Sequence, residues 1–208
     1  MATYYLQAPL KEEDVTQLKL GDIVYISGMS FTCRSRLHRW IFDEGHTMPE
    51  ATKDENVLIH VGPIVVKEDD GSWRLVSFMP TSSIRFEKWG ARAVDKWNLR
   101  MIIGKTTMGP ETQAMCKEKK CVHCTPQGVT PNLWVDSIKI KGVDNFDDLG
   151  SIEATWQFEL DKLGPFKVDI DCEGNNLFDS LDGVIAENKK KAMEKLGIPE
   201  DFEFTKLY

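Results

Sequence analysis

Three short stretches concentrate the side chains able to do chemistry. In SFMPTSSIRFEKWGARAV, residues 77 to 94, Thr81, Ser82 and Ser83 stand between Pro80 and Arg85, where a strand-like run gives way to a helical one. Free backbone N–H groups and hydroxyls at a helix start suit a carboxylate or phosphate, and an arginine in the first turn adds a two-pronged grip. An ordinary serine cap beside a surface arginine would read the same way. In RMIIGKTTMGPET, residues 100 to 112, an apolar strand runs straight into Gly104 and Lys105. Strand ends of this kind are where open α/β sheets hold ligands. The GKTT run is not the tail of a nucleotide-binding P-loop, because Leu99 occupies the place of its first glycine. In SGMSFTCRSRLHRW, residues 27 to 40, Arg34, Arg36, His38 and Arg39 crowd together. Such a cluster needs acidic neighbours, for which Asp43 and Glu44 are at hand, or an anionic ligand.

The elements that must position these groups are strands and a few helices. Strand-like runs cover 23 to 27, 57 to 66, 74 to 78, 100 to 104, 133 to 140 and 166 to 170. Phe86, Trp89, Ala93 and Trp97 recur at steps of three, four and four, which predicts a helix over roughly 84 to 97. A second helix is expected from Pro110, and a third over 185 to 196, whose lysines form a solvated face. The polar stretches 46 to 56 and 142 to 151 read as loops. The mixture is α/β, with strands outnumbering helices.

Composition bounds the function. A chain of 208 residues with 41% hydrophobic side chains can bury a core and is expected to form one domain, 1 to 208. A net charge of -7 argues against a nucleic-acid partner, so the basic residues above are local devices. No apolar run is long enough to span a membrane and the first residues lack a signal pattern, which points to a cytoplasmic protein. Five cysteines fit reduced thiols or a metal site better than a disulfide framework. Cys116, Cys121, Cys124 and distant Cys172 reproduce the C-x4-C-x2-C…C order of plant-type [2Fe–2S] ferredoxins, with His123 as a further possible ligand. That alternative is a small electron carrier or metal-binding protein, with buried or incidental thiols as the plain reading.

The three stretches, together with HVGPIV (60 to 65), DCEGNNL (171 to 177) and AENKK (186 to 190), resemble the β subunit of class I fumarases and L-tartrate dehydratases, which is the C-terminal domain in single-chain relatives. The likeness runs from about Leu20 to about Lys191, and PTSSIR followed by GK is its most specific part. It implies a swivelling β/β/α three-layer domain and an iron–sulfur hydro-lyase, with the [4Fe–4S] cluster held by a partner α subunit in an αβ hetero-oligomer. It further implies that Thr81 is the catalytic base, that Arg34, Ser82, Arg85 and Lys105 bind substrate, and that His38 and Ser83 support them, with no metal ligand in this chain. Ser35, Met79, Ser82 and the KTTMG run depart from the family pattern, which bears on the substrate more than on the reaction class. A fold kept as a non-catalytic assembly module is the other alternative.

The residue types suit that chemistry. Dehydrating a 2-hydroxy dicarboxylate, malate to fumarate first and tartrate next, removes a proton beside a carboxylate and builds negative charge there. Arg34, Arg85 and Lys105 supply fixed positive charge for it, and the same charge favours ionisation of the Thr81 hydroxyl.

Overall fold

The computed structural model describes residues 1–128, 130–199 and 201–203. The elements follow in the order β1 (Thr3–Gln7), α1 (Glu12–Thr16), β2 (Ile23–Thr32), α2 (Ser35–Phe42), β3 (Val57–Ile59), β4 (Ile64–Lys67) and β5 (Trp73–Ser77). After them come α3 (Glu87–Lys96), β6 (Met101–Ile103), α4 (Pro110–Lys119), β7 (Val122–Pro126), β8 (Ile138–Asp144), α5 (Phe146–Leu149), β9 (Thr155–Ile170) and α6 (Asp182–Lys195). The chain forms a large compact unit, Met1–Asn176, and a second that begins at Leu177. The expected single domain over 1 to 208 includes residues outside the described set.

The short strands β3 and β6 are apolar at every position, as strands covered on both faces must be. Successive residues of a strand point to opposite faces. Val57, Ile59, Met101 and Ile103 accordingly enter one core with Val24, Ile26, Trp156 and Phe166. Leu58 and Ile102 enter a second core with Leu37, Ile41, Ala93 and Val94 from α2 and α3. Among the described residues the main sheet runs β1-β2-β3-β6-β7-β9-β8, and a further β2–β9 pairing closes β2, β3, β6, β7 and β9 into a ring. The pairs β1–β2, β2–β3, β3–β6 and β6–β7 are parallel, so their carboxyl ends share one edge. This is the expected α/β three-layer arrangement of mixed sheets with few helices.

Several expected elements change shape. The run 57 to 66 is broken: β3 stops at Ile59, and β4 pairs antiparallel with β5 in a separate two-stranded sheet. The break falls at Gly62-Pro63, where a Cβ on Gly62 would come within 2.6 Å of the Arg34 guanidinium and the Ile152 carbonyl. The expected strand from 133 begins only at Ile138, because Trp134 turns into the core and donates its indole N–H to the Gly164 carbonyl at 2.7 Å. The expected loop 142 to 151 is instead the end of β8 followed by α5. The expected strand 166 to 170 is the tail of β9, a 16-residue strand that pairs with β8, β2 and β7 in turn. The expected helix over 84 to 97 opens as a 3-10 turn, Ser83–Phe86, and becomes α3 at Glu87, with Phe86, Trp89 and Ala93 buried. Pro110 starts α4 as expected. In the second unit, α6 carries its lysines exposed.

Candidate active site

The parallel strands deliver the singled-out residues to their common carboxyl edge. Arg34 follows β2, His60 follows β3, and Gly104-Lys105 follows β6. The 80–83 segment is laid across these ends by backbone bonds. Val61 bridges Pro80, the Thr81 N–H donates to the His60 carbonyl at 2.7 Å, and the Lys105 N–H donates to the Thr81 carbonyl at 2.9 Å. Ile84 N–H donates to Thr106 Oγ1 at 3.3 Å, tying the turn that carries Arg85 to the loop that carries Lys105. Thr81 and Ser82 are half-buried, whereas Arg85 and Lys105 are exposed. Arg34 caps the carboxyl end of β2 with its guanidinium against Gly62, and its Nε lies 3.8 Å from Glu153 Oε1. Five of the expected residues, Arg34, Thr81, Ser82, Arg85 and Lys105, therefore sit on segments that pack against or hydrogen-bond to one another along this edge.

The hydroxyls of the KTTMG run have partners of their own. Thr106 accepts from Ile84 as above, and Thr107 Oγ1 accepts from Asn176 Nδ2 at 2.9 Å. They hold the loop's course.

Ser83 does not cap a helix. Its neighbour Ser82 is the N-cap of the 3-10 turn without a side-chain cap bond, and α3 starts only at Glu87. The Ser83 hydroxyl is fully buried between two histidine rings, 2.8 Å from His60 Nδ1 and 3.0 Å from His123 Nε2. His123 Nδ1 in turn lies 2.7 Å from Asp169 Oδ1, and both side chains are fully buried. Gly104 is the complement of this arrangement, because a Cβ there would overlap Ser83 Oγ.

His38 also lies inside. Its ring stacks on Phe86 at 5.3 Å and on Trp89 at 5.6 Å, and its Nδ1 lies 3.0 Å from the Arg34 carbonyl. Burial pushes its pKa down to about 4, against the smaller opposing effect of that carbonyl bond. Burial, reinforced by His38 and His123, also holds His60 well below the ordinary range. Both rings are neutral supports beneath the 80–85 segment.

The sequence did not single out Glu87. Its Oε2 accepts from the Gly109 N–H and the Thr112 hydroxyl, both at 2.7 Å, and its Oε1 accepts from the N–H groups of Glu111 at 3.0 Å and Thr112 at 3.1 Å. It closes the open N-terminus of α4 from the start of α3 and so clamps the two segments that carry Arg85 and Lys105. A glutamate in the first turn of a helix ordinarily serves its own helix, so spacing gave no sign of this. The roles of His60, His123 and Asp169 beside Ser83 were hidden for a different reason: single polar residues in apolar runs show no partners until the strands pair, and His123 was expected only as a further metal ligand.

The cysteines of the ferredoxin-like order are all buried. Burial, as the largest cause, lifts Cys121 and Cys124 well above the ordinary thiol range and Cys172 to about 12, which opposes the thiolate a metal requires. Among the described residues no group of three or more His, Cys, Asp or Glu side chains is arranged to hold a metal ion. No helix among the described residues is long and apolar enough to cross a membrane.

Comparison with known proteins agrees with the geometry. Residues 2–181 match the family described as fumarase C-terminus, a match that starts earlier and stops sooner than the motifs alone suggested. The L(+)-tartrate dehydratase subunit beta of Escherichia coli (strain K12) is 33% identical over 191 residues, covering 91% of this chain and 90% of that protein. A putative L(+)-tartrate dehydratase subunit beta of Methanocaldococcus jannaschii is 32% identical over 190 residues, covering 90% of this chain and 93% of the relative. A putative fumarate hydratase class I of Geobacillus stearothermophilus is 31% identical over 192 residues, which are 92% of this chain and 35% of that longer protein. With a matched span that includes every site segment described above, the chain belongs to the fumarase C-terminus family, that of the class I fumarases and L(+)-tartrate dehydratase β subunits.

Proposed function

We propose that this chain is the β subunit of an iron–sulfur hydro-lyase that interconverts a 2-hydroxy dicarboxylate and its unsaturated product, acting in the cytoplasm as an αβ hetero-oligomer. The observation that carries this reading is the convergence of Arg34, Thr81, Arg85 and Lys105 on backbone-linked segments at one edge of the parallel strands. Relatives named for tartrate and for fumarate support both malate–fumarate and tartrate as substrates to assay.

The unit Met1–Asn176 would supply the binding and proton-transfer half of the site. Arg85 and Lys105, both exposed, grip the substrate carboxylates, and Arg34 adds a third positive charge from the end of β2. These cations stabilise charge building on the carboxylate beside the lost proton. The Thr81 hydroxyl takes that proton, its ionisation favoured by the same cations. The buried thiols of this chain are not arranged, among the described residues, to hold a cluster, so the [4Fe–4S] group is assigned to the partner α subunit.

Purified alone without oxygen, the chain should be colourless, free of stoichiometric iron and inactive on malate and tartrate. Addition of the α subunit should restore colour and turnover together. A brown isolated chain whose absorption is lost on changing Cys121 and Cys124 to Ser would overturn the reading in favour of an electron carrier. In the assembled enzyme, Arg85→Met or Lys105→Met should lower kcat/KM at least a hundredfold, about 2.7 kcal/mol, with folding intact. Retention of more than about a tenth of activity would remove that residue from the substrate site.

A further inference from the structure

Behind the Thr81–Arg85 segment lies a row of polar groups that the hydro-lyase reading does not use. His60 Nδ1, Ser83 Oγ, His123 and Asp169 follow one another at 2.8, 3.0 and 2.7 Å, every side chain excluded from water. Two atoms at its ends, His60 Nε2 and Asp169 Oδ2, are buried without a hydrogen-bond partner. A polar row inside a core is costly unless its donors and acceptors alternate correctly, so its direction can be worked out.

A carboxylate only accepts, so His123 Nδ1 carries a proton and donates it to Asp169. In the neutral ring Nε2 is then a bare acceptor, which requires the Ser83 hydroxyl to donate to it. Ser83 Oγ, having given its proton, accepts from His60, whose proton therefore sits on Nδ1. His60 Nε2 is left with a bare lone pair. The reverse direction would put a proton on His60 Nε2, and a buried N–H with nothing to accept it is rarer and costlier than an idle lone pair. Burial keeps His60 neutral in either tautomer, so the choice between them rests on the hydrogen-bond geometry alone.

We propose that His60, Ser83, His123 and Asp169 form a one-way hydrogen-bond chain, each donating towards Asp169, which locks the Thr81–Arg85 segment onto the ends of β3 and β6. Its members are positioning residues. Asp169 on β9 orients His123 on β7, His123 orients Ser83, and Ser83 fixes the turn bearing Arg85. Two backbone bonds ride on this lock, Thr81 N–H to the His60 carbonyl and Lys105 N–H to the Thr81 carbonyl. Gly104 leaves the space that the Ser83 hydroxyl fills. The importance of the lock to a reaction rests on the hydro-lyase reading; its existence does not.

The test uses the full chain and no activity. Nitrogen-15 NMR of the imidazole rings, with each of the four histidines assigned by single substitution, reports which ring nitrogen holds the proton. At neutral pH His60 and His123 should both be neutral and protonated on Nδ1. A proton on Nε2 of either ring, or a doubly protonated His123, would overturn the proposal. Asp169→Asn presents an amide N–H to His123 and should move its proton to Nε2. It should also speed amide hydrogen exchange of Thr81 and Lys105 at least tenfold, leaving β8 and its β9 partners unchanged. Unchanged exchange at Thr81 and Lys105 in a folded Asp169→Asn chain would overturn the locking role. Should that variant not fold, Ser83→Ala gives the second reading: His123 keeps its Nδ1 proton while the His60 signal changes and the same two amides exchange faster. A His60 signal that does not respond to Ser83→Ala would equally overturn it. Failure of the assembled pair to dehydrate malate or tartrate would sink the hydro-lyase reading alone.

Discussion

Replacing Glu87 with Gln should cost about 3 kcal/mol of folding stability, although it changes one atom of a half-exposed side chain. Both carboxylate oxygens are in use, Oε1 towards Glu111 N–H and Thr112 N–H, Oε2 towards Gly109 N–H and the Thr112 hydroxyl. The amide oxygen of Gln can keep the first pair, but without charge, at a cost of about 0.5–1 kcal/mol for each bond. The amide NH2 then faces Gly109 N–H, a donor meeting a donor, and leaves it unpaired at a cost of about 1–2 kcal/mol. The Thr112 hydroxyl can rotate to accept and offsets little. Urea unfolding followed by tryptophan fluorescence, with equal slopes for the two proteins, measures the difference directly. A loss below about 1 kcal/mol would refute the idea that this carboxylate clamps α3 to α4. In the assembled enzyme the same change should lower turnover, because Arg85 and Lys105 flank the clamp.

Three further outcomes follow from the packing around the site. Gly104→Ala must displace Ser83 Oγ and should cost about 2–4 kcal/mol, a fall of roughly 5–15 °C in melting temperature; a shift under about 2 °C would mean the Ser83 pocket is looser than the structure shows. Thr81→Ala should lower kcat at least a hundredfold with stability nearly unchanged, whereas Ser83→Ala should cost about 2 kcal/mol of stability by stranding His60 and His123; equal kinetic damage with no stability loss in the second would move the base elsewhere. His38, depressed from 6.5 to about 4, gives stability that is complete above pH 6.5 and is lost as pH falls towards 4, about 3 kcal/mol in all. His60, which burial also holds well below the ordinary range, loses stability in the same direction, and Glu55, pushed up to about 7 by burial, works in the opposite sense between pH 7 and 4.5, so the His38 share should be read as the difference between Glu55→Gln and Glu55→Gln/His38→Gln chains in urea midpoints at pH 7 and 4. No difference between the two chains would mean that His38 is hydrated.

The motif residues Thr81, Arg85, Lys105 and Arg34 stand out singly by type and by their places at strand and helix boundaries, which are local properties of the chain, and the family resemblance is what makes them a group. Also legible were the apolar runs of β3 and β6 and the buried stripe of α3, whose periods are set by strand and helix geometry alone. Other features were not. No strand is expected from the run at β7, where His123 sits inside Val122–Pro126, and β9 opens on an alternation of Trp156, Phe158 and Leu160 with Gln157, Glu159 and Asp161, a strand signal that breaks at Lys162 before the apolar tail. These segments become strands because three different partners pair with β9 along its length and satisfy its backbone groups.

From local pattern alone, the chain determined its class, its helix faces and the polar residues available to grip an anion. Tertiary structure decided which of those residues face outward. Ser83 and Thr81 are two positions apart and read alike, yet one is sealed between two imidazoles and the other lies half-exposed at the strand edge. The same pairing brought Asp169 to His123 across 46 residues and Glu87 to the start of α4 across 22 to 25. Burial and hydrogen-bond partners depend on segments far apart in the chain, which no spacing rule along it records.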